Sequence, residues 1–331
     1  FWRTLNFRMA KISTNPNPKF CLEIPGLTSD VLHKHLTMKK QVALLLLVGF
    51  LTSCNSQVKE TQLYLGLTPP STTPEVFAPG LISTEKEYEF GSVFNKDGTE
   101  FYYGVNVGGR EEIRFCKLTE QGWSKPTVIM SHERYGYNDP FLSPDEQRLY
   151  FISKRALDGQ GDLKDYDIWY AERQGNGWSD PINAGPNINT EGEEYYISFN
   201  KEGTMYFASN KLDYNFDIYS SEFENGEFQA AVPLSDAVNT TNYEADVFID
   251  PDESYIIFCA KRPDGLGQGD LYISFKKEDG TWTSSKNMGE QINTQGHELC
   301  PFVTMDGKYF LYTSNKDIYW VDAKIIEDMR E

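Results

Sequence analysis

The sequence predicts an all-β protein, a β-propeller of five blades with four antiparallel strands in each. Three observations lead to this prediction. A unit of about 50 residues recurs five times, each copy contains short segments that alternate large and small side chains, and no window after residue 75 keeps the apolar spacing of a helix except the last few residues. Four-stranded units repeated at this period are typical of propellers.

Each copy of the unit carries an acidic residue in a turn that follows its first strand. These turn residues are spaced by about 50 positions, and they are Asp97, Asp145, Glu202, Asp252 and Asp306. The second strand follows, with an aromatic residue at the same place in each copy and, in most copies, a small residue two positions later. Phe207 and Ser209 are one such pair. This alternation of large and small residues is expected of tightly packed strands.

The third and fourth strands have markers of their own. An aspartate before an aliphatic and an aromatic residue marks the third strand, as in Asp217-Ile218-Tyr219. An aromatic residue, followed in most copies by a proline or another breaker, marks the fourth: Trp123, Trp178, Phe228 and Trp282. The last copy has no fourth strand, whereas residues 74–84 resemble the end of a repeat.

We therefore expect the N-terminal strand to complete the last blade, with residues 76–82 pairing with residues 318–321. Such closure removes a strand edge that would otherwise invite aggregation. Six blades would require a further blade within residues 62–70, which are too few for four strands.

The copy that begins at Ser143 resembles the TolB-type, or WD-like, propeller repeat. The motif of that family is matched by Ser143-Pro144-Asp145, by Leu149-Tyr150-Phe151 with Ser153 and Arg155, and by Asp167-Ile168-Trp169 after Gly161. The resemblance covers about residues 74–331 and implies the propeller fold. It also implies protein partners in the bacterial cell envelope, although one fold serves many functions.

The residues before the propeller have the layout of a secretory signal. Two lysines, an apolar run at 42–51 and small residues follow Met38. The ending at Cys54 resembles the lipobox of bacterial lipoproteins and implies lipidation of that cysteine. We expect residues 1–37 to be an upstream segment outside the native protein, 38–53 to be the lipoprotein signal peptide, 54–73 to be a flexible tether and 74–331 to be the propeller domain.

Charge and cysteine content narrow the classes of partner. The chain has 31 Lys and Arg against 49 Asp and Glu, a formal net charge of −18, so nucleic-acid binding is not expected. We expect a monomer on the periplasmic or surface face of the envelope, touching the membrane through its lipid anchor only. Cys116, Cys259 and Cys300 include no C-x-x-C pair, which indicates buried thiols. We expect no cofactor or metal; residues 158–167 are rich enough in oxygen ligands to suggest calcium, but lack the spacing of a dedicated calcium loop.

The repeat also places charged residues at one mouth of the central channel. The acidic side of this set, with one aromatic exception, is Glu89, Tyr137, Glu194, Glu244 and Glu298, and the basic side is Arg155, Lys211, Arg262 and Lys316. One interpretation is a ring that binds a cation, a sugar or a basic peptide, and the other is pairing that serves the repeat itself. Blade one lacks the basic residue and blade two lacks the acid, so we predict a contact between Glu89 and Arg155.

Signatures of catalysis are sparse. The chain has no G-x-S-x-G sequence, and only His132 and His297 follow the signal segment. Five-bladed glycosidases place two carboxylates in the central funnel, an arrangement that Asp139, Asp246 and the glutamates could imitate. The sequence favours a non-catalytic binding or scaffold propeller, anchored at the envelope, that recognises a protein or a glycan at the channel mouth. A glycan-active enzyme resembling a glycoside hydrolase is the alternative.

Overall fold

Five antiparallel sheets of four or five strands make up the fold, each corresponding to one copy of the repeat, and one copy adds a two-stranded hairpin. The computed structural model describes residues 61–211 and 215–330, and within them the predicted five-bladed propeller is confirmed. The upstream segment, the signal peptide and Cys54 lie outside the described residues, so those assignments stay predictions. No helix in the described part of the chain is long and apolar enough to cross a membrane.

The strands are short and follow one another in blade order. The chain begins with β1 (Glu75–Val76). Blade one contains β2 (Tyr88–Phe94), β3 (Glu100–Asn106), β4 (Glu111–Thr119), β5 (Gly122–Trp123) and β6 (Thr127–Met130), and blade two contains β7 (Asn138–Leu142), β8 (Arg148–Ser153), β9 (Asp167–Gln174), β10 (Gly177–Trp178) and β11 (Ile182–Asn183).

Blade three contains β12 (Glu194–Phe199), β13 (Met205–Ser209), β14 (Asp217–Ser221), β15 (Phe223–Glu224), β16 (Glu227–Phe228) and β17 (Val232–Pro233). Blade four contains β18 (Tyr243–Ile249), β19 (Tyr255–Lys261), β20 (Asp270–Phe275) and β21 (Lys286–Asn287), and blade five contains β22 (Leu299–Val303), β23 (Tyr309–Ser314) and β24 (Asp317–Asp322). Helix α1 (Lys324–Asp328) follows. The first strands of neighbouring blades contact one another around the whole ring, so they line the channel.

Blade five is completed by β1, as predicted. This strand pairs antiparallel with β24, with Val76 opposite Tyr319, and the Phe77 N–H donates to the Ile318 carbonyl at 2.7 Å. The pairing is shorter than expected, because residues 78–83 fold into hydrogen-bonded turns instead of continuing the strand.

The markers of the fourth strand were misplaced. Trp123, Trp178 and Phe228 lie in short hairpins at the end of the third strand of their blades. The strand that pairs beside the third strand comes a few residues later, in β6, β11 and β17. Each of the three aromatic side chains packs on the main hydrophobic core, so core packing, and not the outer strand, accounts for their recurrence.

A β-bulge interrupts the first strand of every blade. The pairing register shifts there in all five sheets, and the residue at the bulge has φ between 45° and 53°: Gly91, Asp139, Tyr196, Asp246 and Cys300. A positive φ is costly for every residue type except glycine, and such strain is often found at functional sites. The five bulge residues come from five different blades and stand at the same level of the channel.

Part of the predicted tether packs against the propeller. Tyr64 is 7% exposed, and its ring lies against those of Phe94 and Tyr309, with centroid distances of 5.1 and 4.9 Å. The Trp123 indole N–H donates to the Gln62 carbonyl at 2.7 Å. These contacts lie on the lower face, defined here as the face that carries the turns between first and second strands. The segment is therefore bound to the propeller from Gln62 onward.

Candidate functional site

The four glutamates predicted at the channel mouth are buried, each with 0% exposure. In blade three, the Thr190 N–H and hydroxyl donate to the Glu194 carboxylate at 3.0 and 2.8 Å, and the Ser209 hydroxyl donates to it at 2.7 Å. Thr294 and Ser314 give Glu298 the same three hydrogen bonds in blade five. The threonine stands four positions before the glutamate in both blades, so each carboxylate fastens its preceding loop to the sheet.

Blade four replaces the serine with a basic partner. Ala260 stands where blade three has Ser209, and Arg262 Nη2 lies 3.0 Å from Glu244 Oε1. Thr240 again donates to the same glutamate through its N–H and hydroxyl. The predicted pairing within the repeat is thus confirmed for Glu244 and Arg262.

The predicted contact between Glu89 and Arg155 is wrong. Glu89 accepts a hydrogen bond from the Thr84 hydroxyl at 2.8 Å, and its second oxygen is buried without a hydrogen-bond partner. Arg155 instead donates to the Tyr137 hydroxyl at 3.2 Å. Each group is bound to a partner in or just before its own blade, so these two groups do not bond to each other across blades one and two.

The two lysines of the predicted ring also have structural surroundings. Lys211 donates to the Ala231 carbonyl at 3.2 Å and its ammonium lies 4.2 Å from the centre of the Tyr219 ring, and burial lowers its pKa. Lys316 is exposed, and its backbone carbonyl accepts a hydrogen bond from the Glu89 N–H. Of the residues named from the sequence as site candidates, Asp139 and Asp246 stand at bulges.

Asp139 and Asp246 form a pair of carboxyl groups at the channel axis. Asp139 is 9% exposed and Asp246 is partly exposed. Neither forms a salt bridge with any described residue. The closest donor to Asp139 is the Cys300 thiol, whose sulfur lies 3.6 Å from Oδ1. This pair therefore lacks the compensation that the buried glutamates have.

The electrostatics of the pair follow from that isolation. Burial raises the pKa of Asp139 to about 8, and the charge of Asp246 contributes to the increase. Burial also raises the pKa of Asp246, although His297 opposes this. Two neighbouring carboxyl groups in a desolvated site resist ionising together, so near neutral pH the pair retains a proton.

Five partly exposed aromatic side chains surround the pair, and they are called the rim aromatics here: Tyr88, Tyr166, Tyr195, Phe216 and Tyr243. Four of them form a continuous row, with centroid distances of 5.1 Å for Tyr166 and Tyr195, 4.9 Å for Tyr195 and Phe216, and 5.5 Å for Phe216 and Tyr243. Tyr88 stands apart from the row beside Phe90. Burial and the nearby Cys300, Asp246 and Asp139 raise the pKa of the Tyr88 hydroxyl.

The channel is closed just below this level. The Tyr196 hydroxyl donates to the Pro301 carbonyl of blade five at 2.9 Å, and Tyr196 clusters with Phe90 and Cys300. The rim aromatics and the carboxyl pair therefore form a shallow mouth with an aromatic wall and an acidic base, called the upper mouth here. Sequence reasoning missed its aromatic residues. The sequence did hold a signal for the carboxyl pair. Two residues after each residue of the predicted ring, the repeat is irregular, with Gly, Asp, Tyr, Asp and Cys in the five blades.

Two clefts lie next to each other on the lower face. One, with an empty volume of about 450 Å³, is bordered by Phe94, Phe141 and Phe199, and a neighbouring one of about 1060 Å³ is bordered by Arg148 and Phe223. Arg148 is paired there with Glu172 at 3.5 Å. Because the charged groups of these clefts include compensated pairs, the upper mouth is the stronger candidate for a site that recognises charge.

The loop considered for calcium is organised by its own hydrogen bonds. Asp158 Oδ1 accepts the N–H groups of Gln160 and Gly161, both at 2.9 Å, and Asp167 accepts a hydrogen bond from the Asn183 amide. Among the residues that the structure describes, no group of three His, Cys, Asp or Glu side chains is arranged to hold a metal ion.

Comparison with known proteins yields similarity in fold. No protein-family model and no curated protein matches the chain. Among solved structures, TolB from Acinetobacter baumannii is 15% identical, with a TM-score of 0.46 over 71% of this chain, which spans about half (54%) of that protein. A putative TolB from Agrobacterium tumefaciens is 16% identical, with a TM-score of 0.45 over 69% of this chain and 70% of its own. A Dyadobacter fermentans protein of unknown function is 16% identical, with a TM-score of 0.47 over 77% and 83%. Two of these structural neighbours are named as TolB proteins, and the number of blades in this chain rests on the strand pairing described above.

Proposed function

We propose that the protein is a non-catalytic binding propeller that holds a protein or glycan of the bacterial envelope at its upper mouth. One observation carries the proposal: five partly exposed aromatic side chains surround two carboxyl groups that form no salt bridge with any described residue. Aromatic faces with a few polar groups at their centre are typical of sites that bind sugars and peptide side chains. Of the other acidic residues of the predicted ring, Glu194, Glu244 and Glu298 are already satisfied by the fold.

The course of the chain supports an orientation for this site. Gln62 is bound to the lower face, and the predicted lipidation site, Cys54, precedes it by eight residues. Eight residues span at most about 28 Å when fully extended. An anchor at Cys54 would therefore hold the lower face near the membrane and leave the upper mouth open to the surrounding compartment.

A binding experiment with matched variants tests the proposal. The acylated full-length protein is assayed against an array of envelope glycans and a panel of solubilised envelope proteins. Tyr195→Ala and Tyr243→Ala should each weaken the binding of any ligand found by about tenfold or more, as truncation of a central aromatic contact does. Phe223→Ala is the control, since this aromatic is 38% exposed on the lower face. Equal binding by all three variants would exclude the upper mouth.

The raised pKa of Asp139 favours a second candidate, a glycan-active hydrolase. A carboxyl group that stays protonated near neutral pH is suited to act as a general acid, with Asp246 as the second carboxylate of the reaction. Hydrolysis of aryl glycosides and envelope glycans between pH 5 and 8 tests it. Turnover that is lost in Asp139→Asn would establish the enzyme, and its absence in the wild type would leave the binding function.

A further inference from the structure

We propose that the upper mouth binds the ammonium group of an organic amine, held by Asp139 and Asp246 at its base and by the rim aromatics around it. This inference rests on the proposed function, because it specifies the chemistry of the ligand bound at the same site. It applies to an amine on a peptide side chain and to a free amine, which share the same cationic group.

The glutamates of the ring have bonding partners that the Asp139 and Asp246 carboxyl groups lack. Arg262 binds Glu244, and three hydrogen-bond donations hold each of Glu194 and Glu298. Asp139 has only the Cys300 thiol at 3.6 Å. Asp246 accepts a hydrogen bond from the Cys300 N–H and is influenced by His297, but it too forms no salt bridge with any described residue. Burying a carboxyl group without a salt bridge is costly, so a site that holds this pair is suited to a cation supplied by a ligand.

The Asn138 side chain, beside the pair, hydrogen-bonds with the Tyr166 hydroxyl but leaves one amide atom without a partner. Asn138 is 8% exposed, and its side-chain oxygen is buried without a hydrogen-bond partner. It occupies the position of its strand that Phe90 and Tyr195 occupy in blades one and three, and those side chains line the cluster around Cys300 and Tyr196. The Asn138 oxygen is thus a free acceptor at the same level as the carboxyl pair, as an ammonium group with three N–H donors requires.

The rim aromatics form the wall of the upper mouth around the carboxyl pair. Charges on Asp139 or Asp246 contribute to raising the pKa values of the Tyr88, Tyr195 and Tyr243 hydroxyls, after burial as the largest cause. These three rings therefore converge on the pair from blades one, three and four. Aromatic faces attract cations within about 6 Å of the ring centre, and the attraction grows when water is excluded. Hard metal ions instead require six or more oxygen ligands, which this mouth does not assemble among the described residues.

Protonation of the pair matches a ligand with a single positive charge. The groups that interact electrostatically with Asp139 and Asp246 are Glu111, Cys259, His297, Cys300, Tyr88, Tyr166, Tyr195, Tyr196 and Tyr243. Since burial holds a proton on the pair near pH 7, one negative charge faces the mouth. A bound ammonium group stabilises the ionised form of the second carboxyl group, so binding should release a proton.

Isothermal titration calorimetry on the full-length protein tests the inference with three probes: butylammonium, N-acetyl-lysine methylamide and its uncharged norleucine analogue. We expect the two amines to bind at pH 7 with release of a proton, seen as a dependence of the heat on the buffer's ionisation enthalpy. The norleucine analogue should bind at least about tenfold more weakly, because it leaves the carboxyl pair without a cation. Equal affinity for both butylammonium and the lysine probe indicates that the ammonium group alone is recognised, and binding of the lysine probe alone indicates an amine carried by a peptide.

Asp139→Asn/Asp246→Asn is the decisive variant. Asparagine tolerates the positive φ of both positions, so the fold should persist, as circular dichroism can verify. Affinity for the amines should fall at least about tenfold, whereas Glu202→Gln, whose side chain is 63% exposed, should bind as the wild type does. Amine binding that is unchanged in the double variant, or no amine binding by the wild type, overturns the inference. A glycan or protein ligand that is still lost in Tyr195→Ala would then leave the proposed function standing.

Discussion

Two sets of carboxyl groups lie on the first strands of this propeller, and their environments are opposite. Glu194 and Glu298 occupy a position encoded by the repeat, are fully buried and accept three hydrogen bonds each. Asp139 and Asp246 occupy the bulge position two residues later, which differs in almost every blade, and they form no salt bridges in the described part of the chain. In this propeller, a carboxyl group that recurs in several blades serves the fold, whereas a carboxyl group at a position where the repeat is irregular is available to a ligand.

The largest expected effect separates the two sets by stability. Glu194→Ala should lower the free energy of unfolding by about 4 kcal/mol, because it leaves three donors of Thr190 and Ser209 unsatisfied in a buried place. Asp246→Asn should change it by less than about 1 kcal/mol, since the asparagine oxygen can still accept the hydrogen bond from the Cys300 N–H and no salt bridge is lost. Urea denaturation at pH 7 measures both. Equal losses in the two variants would remove the distinction drawn here.

The second expected effect is a dependence of stability on pH, to which Asp139 contributes beside other buried carboxyl groups such as Glu194, whose pKa burial raises to about 7. The pKa of Asp139 in the folded protein, about 8, lies above its ordinary value of 3.8, so folding favours the protonated form. That contribution is complete below the ordinary value and is lost as the pH rises through about 8. Between pH 5 and 8.5 the wild type should lose on the order of 3 kcal/mol more than Asp139→Asn. Denaturation curves at both pH values give the difference, and parallel losses would contradict it.

The third expected effect concerns the close packing of two bulge residues, Gly91 and Asp139. Gly91 has φ of 53°, and a Cβ atom at this position would lie 2.7 Å from Asp139 Oδ1. Gly91→Ala should therefore destabilise the protein by about 2 kcal/mol through backbone strain and steric conflict. Gly108→Ala is a suitable control, since its φ is also positive but no atom lies within 4 Å of the added Cβ. A loss no greater than that of the control would show that the clash with Asp139 contributes nothing.

The smallest effect concerns the incomplete glutamate of blade one. Val105 lies opposite Glu89, where blade three has Ser209 opposite Glu194, and one Glu89 oxygen has no partner. Val105→Thr keeps the side-chain shape and adds a hydroxyl donor, so it should stabilise the fold by about 0.5 to 1 kcal/mol. Thermal unfolding resolves such a change, with Val93→Thr as a control in which a hydroxyl is buried near no such acceptor. A loss at both positions would refute the role assigned to the missing serine.

The blade number and the closure of blade five were predictable from sequence. Turn acids, strand alternation and the partial repeats at the two ends are local patterns, and strand pairing between neighbours in sequence follows from them. The threonine four residues before Glu194, Glu244 and Glu298 can also be recognised in the sequence. Because it hydrogen-bonds to the glutamate, it would have identified these glutamates as structural. The aromatic markers were misassigned because Trp123 and Phe228 recur for packing on the core, which a linear pattern does not distinguish from a fourth strand.

Only the tertiary structure decided the site. The residues of the upper mouth come from different blades, far apart in the chain: Tyr88 from blade one, Asp139 from blade two, Tyr195 from blade three and Asp246 from blade four. Their meeting depends on the closed ring and on bulges that turn one residue of each first strand toward the axis. The burial of the glutamates, the separation of Glu89 from Arg155 and the isolation of the carboxyl pair depend equally on that packing. Sequence by itself determined the repeat, because a repeat is built from short-range contacts, whereas the charges left unpaired at the axis were decided by contacts between blades.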